Sequence, residues 1–324
     1  MTKPVFIFSL PRSGSTLAQK VLAAHEDVST TAEPWFLLPF LYAQRSEGVY
    51  AEYAQCTAAK AIDEFVEVLP NGQDDYRAAI REAALRLYAA AAQGARCFVD
   101  KTPRYHLIIE DLLDVFPEAK CILLWRNPLA IAASIVDTWG KNGRWIAYRY
   151  KVDLYKGLEN LVNAAESHPN RFLQVRYEDM VSKPGEIWQK IFAYLDLEYD
   201  STVLDRYRTV DFSGSMGDQT GEKKYKAIAQ ESVDAWPQTF NSPLRRIWAR
   251  RYLDWIGSER LQMMGYDKAK LELMLTGSLD IRPSRLLSDM LFMALGAAHA
   301  SLDLSGIKRQ VRRTLLRQRC YAAT

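Results

Sequence analysis

Short apolar runs alternate with longer stretches of mixed, helix-like composition along this chain. Val5–Ser9 is apolar up to its last residue and is followed by Pro11 and Gly14, which predicts a buried strand. Leu17–Ala24 then reads as a helix. Residues 36–69 and 75–93 have helical composition, the second rich in Ala, Leu and Arg. Cys97–Val99, Cys121–Trp125 and Phe172–Arg176 are further short apolar runs and predict further strands. Helices are expected over Tyr105–Phe116, which Pro117 ends, and over Pro128–Trp139, 151–167 and 184–195. Residues 211–226 are polar, hold three glycines and read as a long loop. Helices return over 243–257 and 284–302. Strands that alternate with helices imply an α/β fold, a parallel sheet flanked by helices on both faces.

Composition narrows this picture. The 324 residues suffice for one large α/β domain, and 48% hydrophobic with 25% charged residues is ordinary for a globular chain. A formal net charge of +3 gives no general affinity for nucleic acid. The charge is unevenly spread, with eight Lys and Arg against two Asp in residues 282–324. Cys56, Cys97, Cys121 and Cys320 form no CxxC pair, so neither a zinc site nor a disulfide framework is expected. Cys97 and Cys121 lie in apolar runs and are expected to be buried thiols in a reducing, cytoplasmic setting. The first predicted strand starts within a few residues of Met1, so no leader or anchor is expected ahead of it.

The first strand runs into Ser9-Leu-Pro-Arg-Ser-Gly-Ser-Thr16 and then a helix. Such a junction is built to hold an anion, because free N–H groups and the helix dipole face the loop. Gly14 allows close backbone approach, Ser13, Ser15 and Thr16 offer hydroxyls, and Arg12 adds a fixed positive fork. Each charge-assisted hydrogen bond there can contribute roughly 1.5–3 kcal/mol. The plainer alternative is an ordinary cap by Ser13 or Ser15. In a Walker-type frame, GxxxxGK[ST], Ser9 stands for the first Gly and Ser15 for the Lys, so the loop is P-loop-like without the kinase lysine. A second anchor is Arg126-Asn-Pro128, at the carboxyl end of the Cys121–Trp125 strand, with Ser134 about two helical turns on.

The two elements together resemble the 3′-phosphoadenosine 5′-phosphosulfate (PAPS)-dependent sulfotransferase family over roughly residues 4–260. The resemblance implies that Arg12, Ser13, Gly14, Ser15 and Thr16 bind the 5′-phosphosulfate, and that Arg126 and Ser134 bind the 3′-phosphate. Tyr177, in Arg176-Tyr-Glu-Asp-Met180, resembles the family's adenosine-contacting tyrosine. The glycine-rich C-terminal loop of the family is only loosely matched by Gly217–Tyr225, where Lys223 and Lys224 read as a solvated charge run, with a phosphate contact by either one the alternative. Cytosolic members carry a Lys in the first loop and Lys-Thr-His after the next strand, whereas this chain has Arg12 and Lys101-Thr-Pro103. It is closer to the tyrosylprotein and bacterial branch, which points to Glu33 as general base, with Arg12 and Lys101 as the catalytic cations. His106 is the alternative base, and His25 is expected to end the first helix as a cation.

The implied organisation is a sulfotransferase domain over 1–275 and a helical, basic extension over 276–324. The expected activity is in-line sulfuryl transfer from PAPS, leaving 3′,5′-ADP, to the hydroxyl of a saccharide, lipid or peptide, with a saccharide or glycolipid favoured and no metal required. Residues 36–95 and 139–160, with Trp35, Trp139 and Trp145, are expected to line the acceptor pocket. Residues 306–324 hold six cations and no acid, beside Ile307, Val311 and Leu315 at a four-residue spacing, a pattern suited to peripheral contact with an anionic membrane. Two rivals are a P-loop nucleotide kinase and a non-catalytic module that binds nucleotide or sulfated ligand.

Overall fold

A computed structural model describes residues 2–49, 51, 53–212, 234–277 and 285–301. Five strands form one sheet: β1 (Lys3–Phe8), β2 (Val28–Thr30), β3 (Cys97–Asp100), β4 (Lys120–Trp125) and β5 (Phe172–Arg176). Their order is β2-β3-β1-β4-β5, and every pairing is parallel. The expected P-loop-like α/β architecture is therefore present.

Alternate residues of each strand enter separate cores. Phe6, Phe8, Phe98, Leu123 and Trp125 face one way, under the helices Gln73–Ala92, Pro128–Trp139 and Leu158–Ser167. Val5, Ile7, Val99, Ile122 and Leu124 face the other, under Ser15–Ala23 and Pro184–Tyr194. With both faces covered, these strands read as unbroken apolar runs. Full burial of one such side chain contributes about 1.5–3 kcal/mol.

The chain departs from its predicted elements where tertiary contacts or glycine intervene. β2 gives no sequence signal, being three residues long at the sheet edge. The helical stretch expected over 36–69 is split into Leu37–Tyr42 and Gln55–Glu67, with Gly48 at φ 84° between them. Tyr105–Phe116 opens as a 3₁₀ turn, Pro103–Leu107, and becomes α-helical only at Ile109. The helix expected from residue 151 begins as a wide π turn, Val152–Gly157, ahead of Leu158–Ser167. A Cβ at Gly157 would lie 2.9 Å from the His106 ring, so that turn leaves room for the imidazole. Tyr177 opens a short helix, Tyr177–Ser182.

Near the C-terminus, Pro243–Ile256 is capped by Ser242, and Leu286–Ser301 packs against it. Asp289 bonds the Arg245 guanidinium at 2.9 Å (Nε) and 2.8 Å (Nη2), fully buried, and Ser242 Oγ donates to the same carboxylate at 2.6 Å. Cys97 and Cys121 are buried as expected, and burial pushes the Cys121 thiol up to about 12. Most of the loop expected over 211–226, with Lys223 and Lys224, lies outside the described residues, as do the whole of 306–324 and Cys320.

Candidate active site at the carboxyl edge of the sheet

β1 sits between β3 and β4, where the strand order turns, and its exit loop opens onto the crevice that doubly wound sheets use for ligands. Gly14 is left-handed at φ 89° and takes the N-cap position of Ser15–Ala23. No side chain caps that helix and no acid stands in its first turn, which removes the plain-cap reading of Ser13 and Ser15. Ser9 Oγ and Ser13 Oγ are buried with no hydrogen-bond partner among the described residues. Unmatched hydroxyls beside a helix N-terminus are the donors an oxyanion would satisfy.

Arg12 is also left-handed, at φ 70°, a conformation costly for a residue with a Cβ. The Nη1 of Arg126, just past the end of β4, donates to the Arg12 carbonyl at 2.7 Å and helps to hold it there. Arg12 Nε donates to Ser134 Oγ at 3.2 Å, and its guanidinium lies 5.4 Å from the centre of the Trp139 ring. The Arg126 guanidinium lies 4.4 Å over the ring of Tyr177, at the end of β5. A Cβ on Gly14 would meet that ring at 2.3 Å. The loop after β1 and the ends of β4 and β5 thus form one interlocked cluster. Beneath it, Glu178 accepts from the Asn127 N–H at 3.0 Å and from the Tyr266 hydroxyl at 2.7 Å.

A second cluster lies at the ends of β2 and β3. Lys101 Nζ donates to Glu33 Oε1 at 2.7 Å with both side chains largely buried, and Trp35 Nε1 donates to Glu33 Oε2 at 3.1 Å. Trp35 stands at φ 59°, and its N–H is directed at the Thr102 hydroxyl. Gln19, on the first helix, donates to Thr30 Oγ1 and to the Thr31 carbonyl, both at 2.7 Å, tying the segment that carries Glu33 to that helix. A carboxylate has about four acceptor positions, so Glu33 keeps room for a further donor. β3 pairs directly with β1, and Lys101 follows the Asp100–Phe6 pair, so both clusters occupy one edge of the sheet.

The buried carboxyl of Asp100 supports this edge. It accepts from Tyr88 at 2.6 Å, Tyr105 at 2.9 Å and Thr102 at 3.1 Å. Burial pushes it up to about 6, against those hydrogen bonds and the charge of Lys101, which pull it down. Asp100 and Gln19 are residues of this edge that sequence reading missed, and Trp35, expected at the acceptor pocket, is bonded to the Glu33 carboxylate. Only the position of Asp100 beside Lys101 at a strand end could have marked either missed residue.

Other expectations change. His25 lies just past the helix Ser15–Ala23, where its Nδ1 accepts from the Asp27 N–H at 3.0 Å and its Nε2 bonds the Glu198 carbonyl at 3.1 Å. His106 is buried, with Nε2 bonded to Asp153 at 3.1 Å, and Asp153 also holds Arg104. Trp145 is largely buried among Phe240 and Trp248 and lines a groove beside the helix Leu286–Ser301. Trp139 is exposed, stacked on Tyr150 at 4.8 Å beside Arg12.

A strand–loop–helix junction with unmatched buried hydroxyls, a second arginine at a neighbouring strand end and a paired carboxylate and lysine share one edge of a P-loop-like sheet. A model of the sulfotransferase family matches residues 4–201, and the chain belongs to that family. It is 30% identical over 290 residues to the nodulation protein NoeE of Sinorhizobium fredii, spanning 82% of this chain and 66% of that protein. Protein-tyrosine sulfotransferase 1 of Danio rerio is 21% identical over 272 residues, 81% of this chain and 72% of that one. Among solved structures, the sulfotransferase domain from the curacin biosynthetic pathway superposes with a TM-score of 0.50 at 26% identity, over 73% of this chain and 90% of that domain.

Proposed function

We propose that the chain moves a sulfuryl group from PAPS to the hydroxyl of a saccharide-bearing acceptor, leaving 3′,5′-ADP, with Glu33 as general base. The observation that carries this reading is the closure of Arg12, Arg126, Ser134 and Tyr177 around Gly14. The residues present suit a nucleotide with an anionic group at each end. The buried hydroxyls of Ser9 and Ser13 and the uncapped helix stand at one end, and Arg126 with Ser134 at the other. PAPS supplies the sulfuryl group when bound. Arg12, Ser13, Gly14, Ser15 and Thr16 hold its 5′ end, Arg126 and Ser134 its 3′ end, and Tyr177 forms the floor beneath Gly14. Glu33 takes the acceptor proton at a carboxylate oxygen, while Lys101 keeps Glu33 oriented and places a cation where negative charge gathers.

The Trp139–Tyr150 stack beside Arg12 offers an apolar face to a sugar ring. Similarity to protein-tyrosine sulfotransferases is compatible with a hydroxyl-bearing acceptor. Residues 1–275 are the catalytic unit in this reading. The extension 276–324 brings its basic segment 306–324 to an anionic membrane from the cytoplasm. Among the described residues, no helix is long and apolar enough to cross a membrane.

Turnover of labelled PAPS against glycan, glycolipid and peptide acceptors tests the reading. Glu33→Gln, which keeps a bond to Lys101, should lower kcat about a hundredfold or more while leaving 3′,5′-ADP affinity nearly unchanged. Unaltered turnover in that variant would remove Glu33 as the base. ATP turnover without PAPS turnover would favour the kinase rival.

A further inference from the structure

Leu286–Ser301 is 16 residues long and has one acidic residue, Asp289, and no Lys or Arg. The buried bonds of Asp289 to Arg245 and Ser242 fix which way this helix faces. The side turned to solvent carries Leu287, Leu291 and Leu295 at four-residue spacing, with Met290 beside them. Their relative exposures are 80%, 57%, 45% and 54%. Apolar side chains so exposed on one helix mark an interaction surface. Alongside runs a groove of about 330 Å³, walled by Trp248, Tyr148, Ile247 and Met293. Lys151 and Arg251 also line it, both are exposed, and none of its lining residues is acidic.

We infer that the exposed face of Leu286–Ser301 and this groove form a docking surface for an anionic lipid bilayer. The apolar side chains enter the acyl boundary, and Lys151 and Arg251 meet lipid phosphates. Charge complementarity selects this occupant. The groove carries only positive charge, and the sequence after Ser301 continues with six cations and one acid, Asp303. The inference deepens the membrane reading of 306–324 but rests on a different surface.

The helix also touches the segment that follows the site helix. Arg144 lies 5.4 Å over the Phe292 ring, and Arg245 Nη2 and Arg285 Nη1 both donate to the Gly143 carbonyl, at 2.7 and 3.1 Å. Docking there would hold the Trp139–Tyr150 wall in a fixed relation to the bilayer and favour acceptors carried on lipid.

The test is co-sedimentation of the full chain with vesicles of phosphatidylcholine alone and of phosphatidylcholine and phosphatidylglycerol in equal parts, with the oligomeric state measured by light scattering. The wild type should pellet with the anionic vesicles. Leu287→Glu/Leu291→Glu/Leu295→Glu and, separately, Lys151→Glu/Arg251→Glu should each weaken partitioning about tenfold or more. Both variants should keep the wild-type melting temperature and 3′,5′-ADP affinity. If the wild type pellets and the triple variant pellets equally, this surface is not the docking face, although the tail reading survives. A wild type that stays in solution overturns both. A wild-type dimer that the leucine substitutions dissociate shows that a second copy covers the face and overturns the inference.

Discussion

Gly14 and Tyr177 meet so closely that the loop has no space for a methyl group. A Cβ at Gly14 would stand 2.3 Å from the ring, and its φ of 89° costs an L-residue roughly 1–2 kcal/mol in any case. Gly14→Ala should therefore displace Tyr177 and weaken 3′,5′-ADP binding by at least about tenfold, as read by calorimetry. Asp100 gives a pH signature. Its folded carboxyl titrates near 6 against an ordinary 3.8, so the folded state holds its proton longer than the unfolded chain does. Its contribution to stability is therefore lost as pH rises from about 4 to about 6, a cost of about 3 kcal/mol once it is ionised. Asp100→Asn should flatten that segment of the melting temperature against pH, and an unchanged slope would contradict the assignment. At this scale the loop after β1 and the exit of β4 were legible as strand ends, which is what makes Arg12 to Thr16, Arg126 and Ser134 candidates. The hydrogen bonds of Gln19 and of the tyrosines on Asp100 were not legible, because they form only between segments that the fold brings together.

The elements repeat the contrast. β1, β3, β4 and β5 were readable as apolar runs because both faces of the sheet are buried. β2 was not, because an edge strand of three residues leaves no pattern. The π turn over Val152–Gly157 fits around a histidine nearly fifty positions earlier, and no local sequence rule encodes that. The clamp between the C-terminal helices makes its own prediction. Arg245 and Asp289 are both almost wholly buried, so Asp289→Ala leaves a guanidinium without its counter-charge. The loss should be about 3–5 kcal/mol and appear as a lower denaturant midpoint. A loss below about 1 kcal/mol would mean that the helix is not docked as described.

At the scale of the whole molecule, strand order does the assembling. Placing β1 between β3 and β4 brings Arg12, Lys101 and Arg126, far apart in sequence, to one edge of one sheet. The sequence carried the two candidate anchors but not their contact, which exists only once β4 pairs with β1. The most direct test of the account is calorimetric binding of 3′,5′-ADP and of 5′-AMP, which lacks the 3′-phosphate, to the wild type and to Arg126→Ala. The wild type should prefer 3′,5′-ADP by about a hundredfold, and Arg126→Ala should lose most of that preference while binding 5′-AMP nearly as before. Equal affinity of the wild type for the two nucleotides, or a preference that survives loss of the Arg126 side chain, would contradict it.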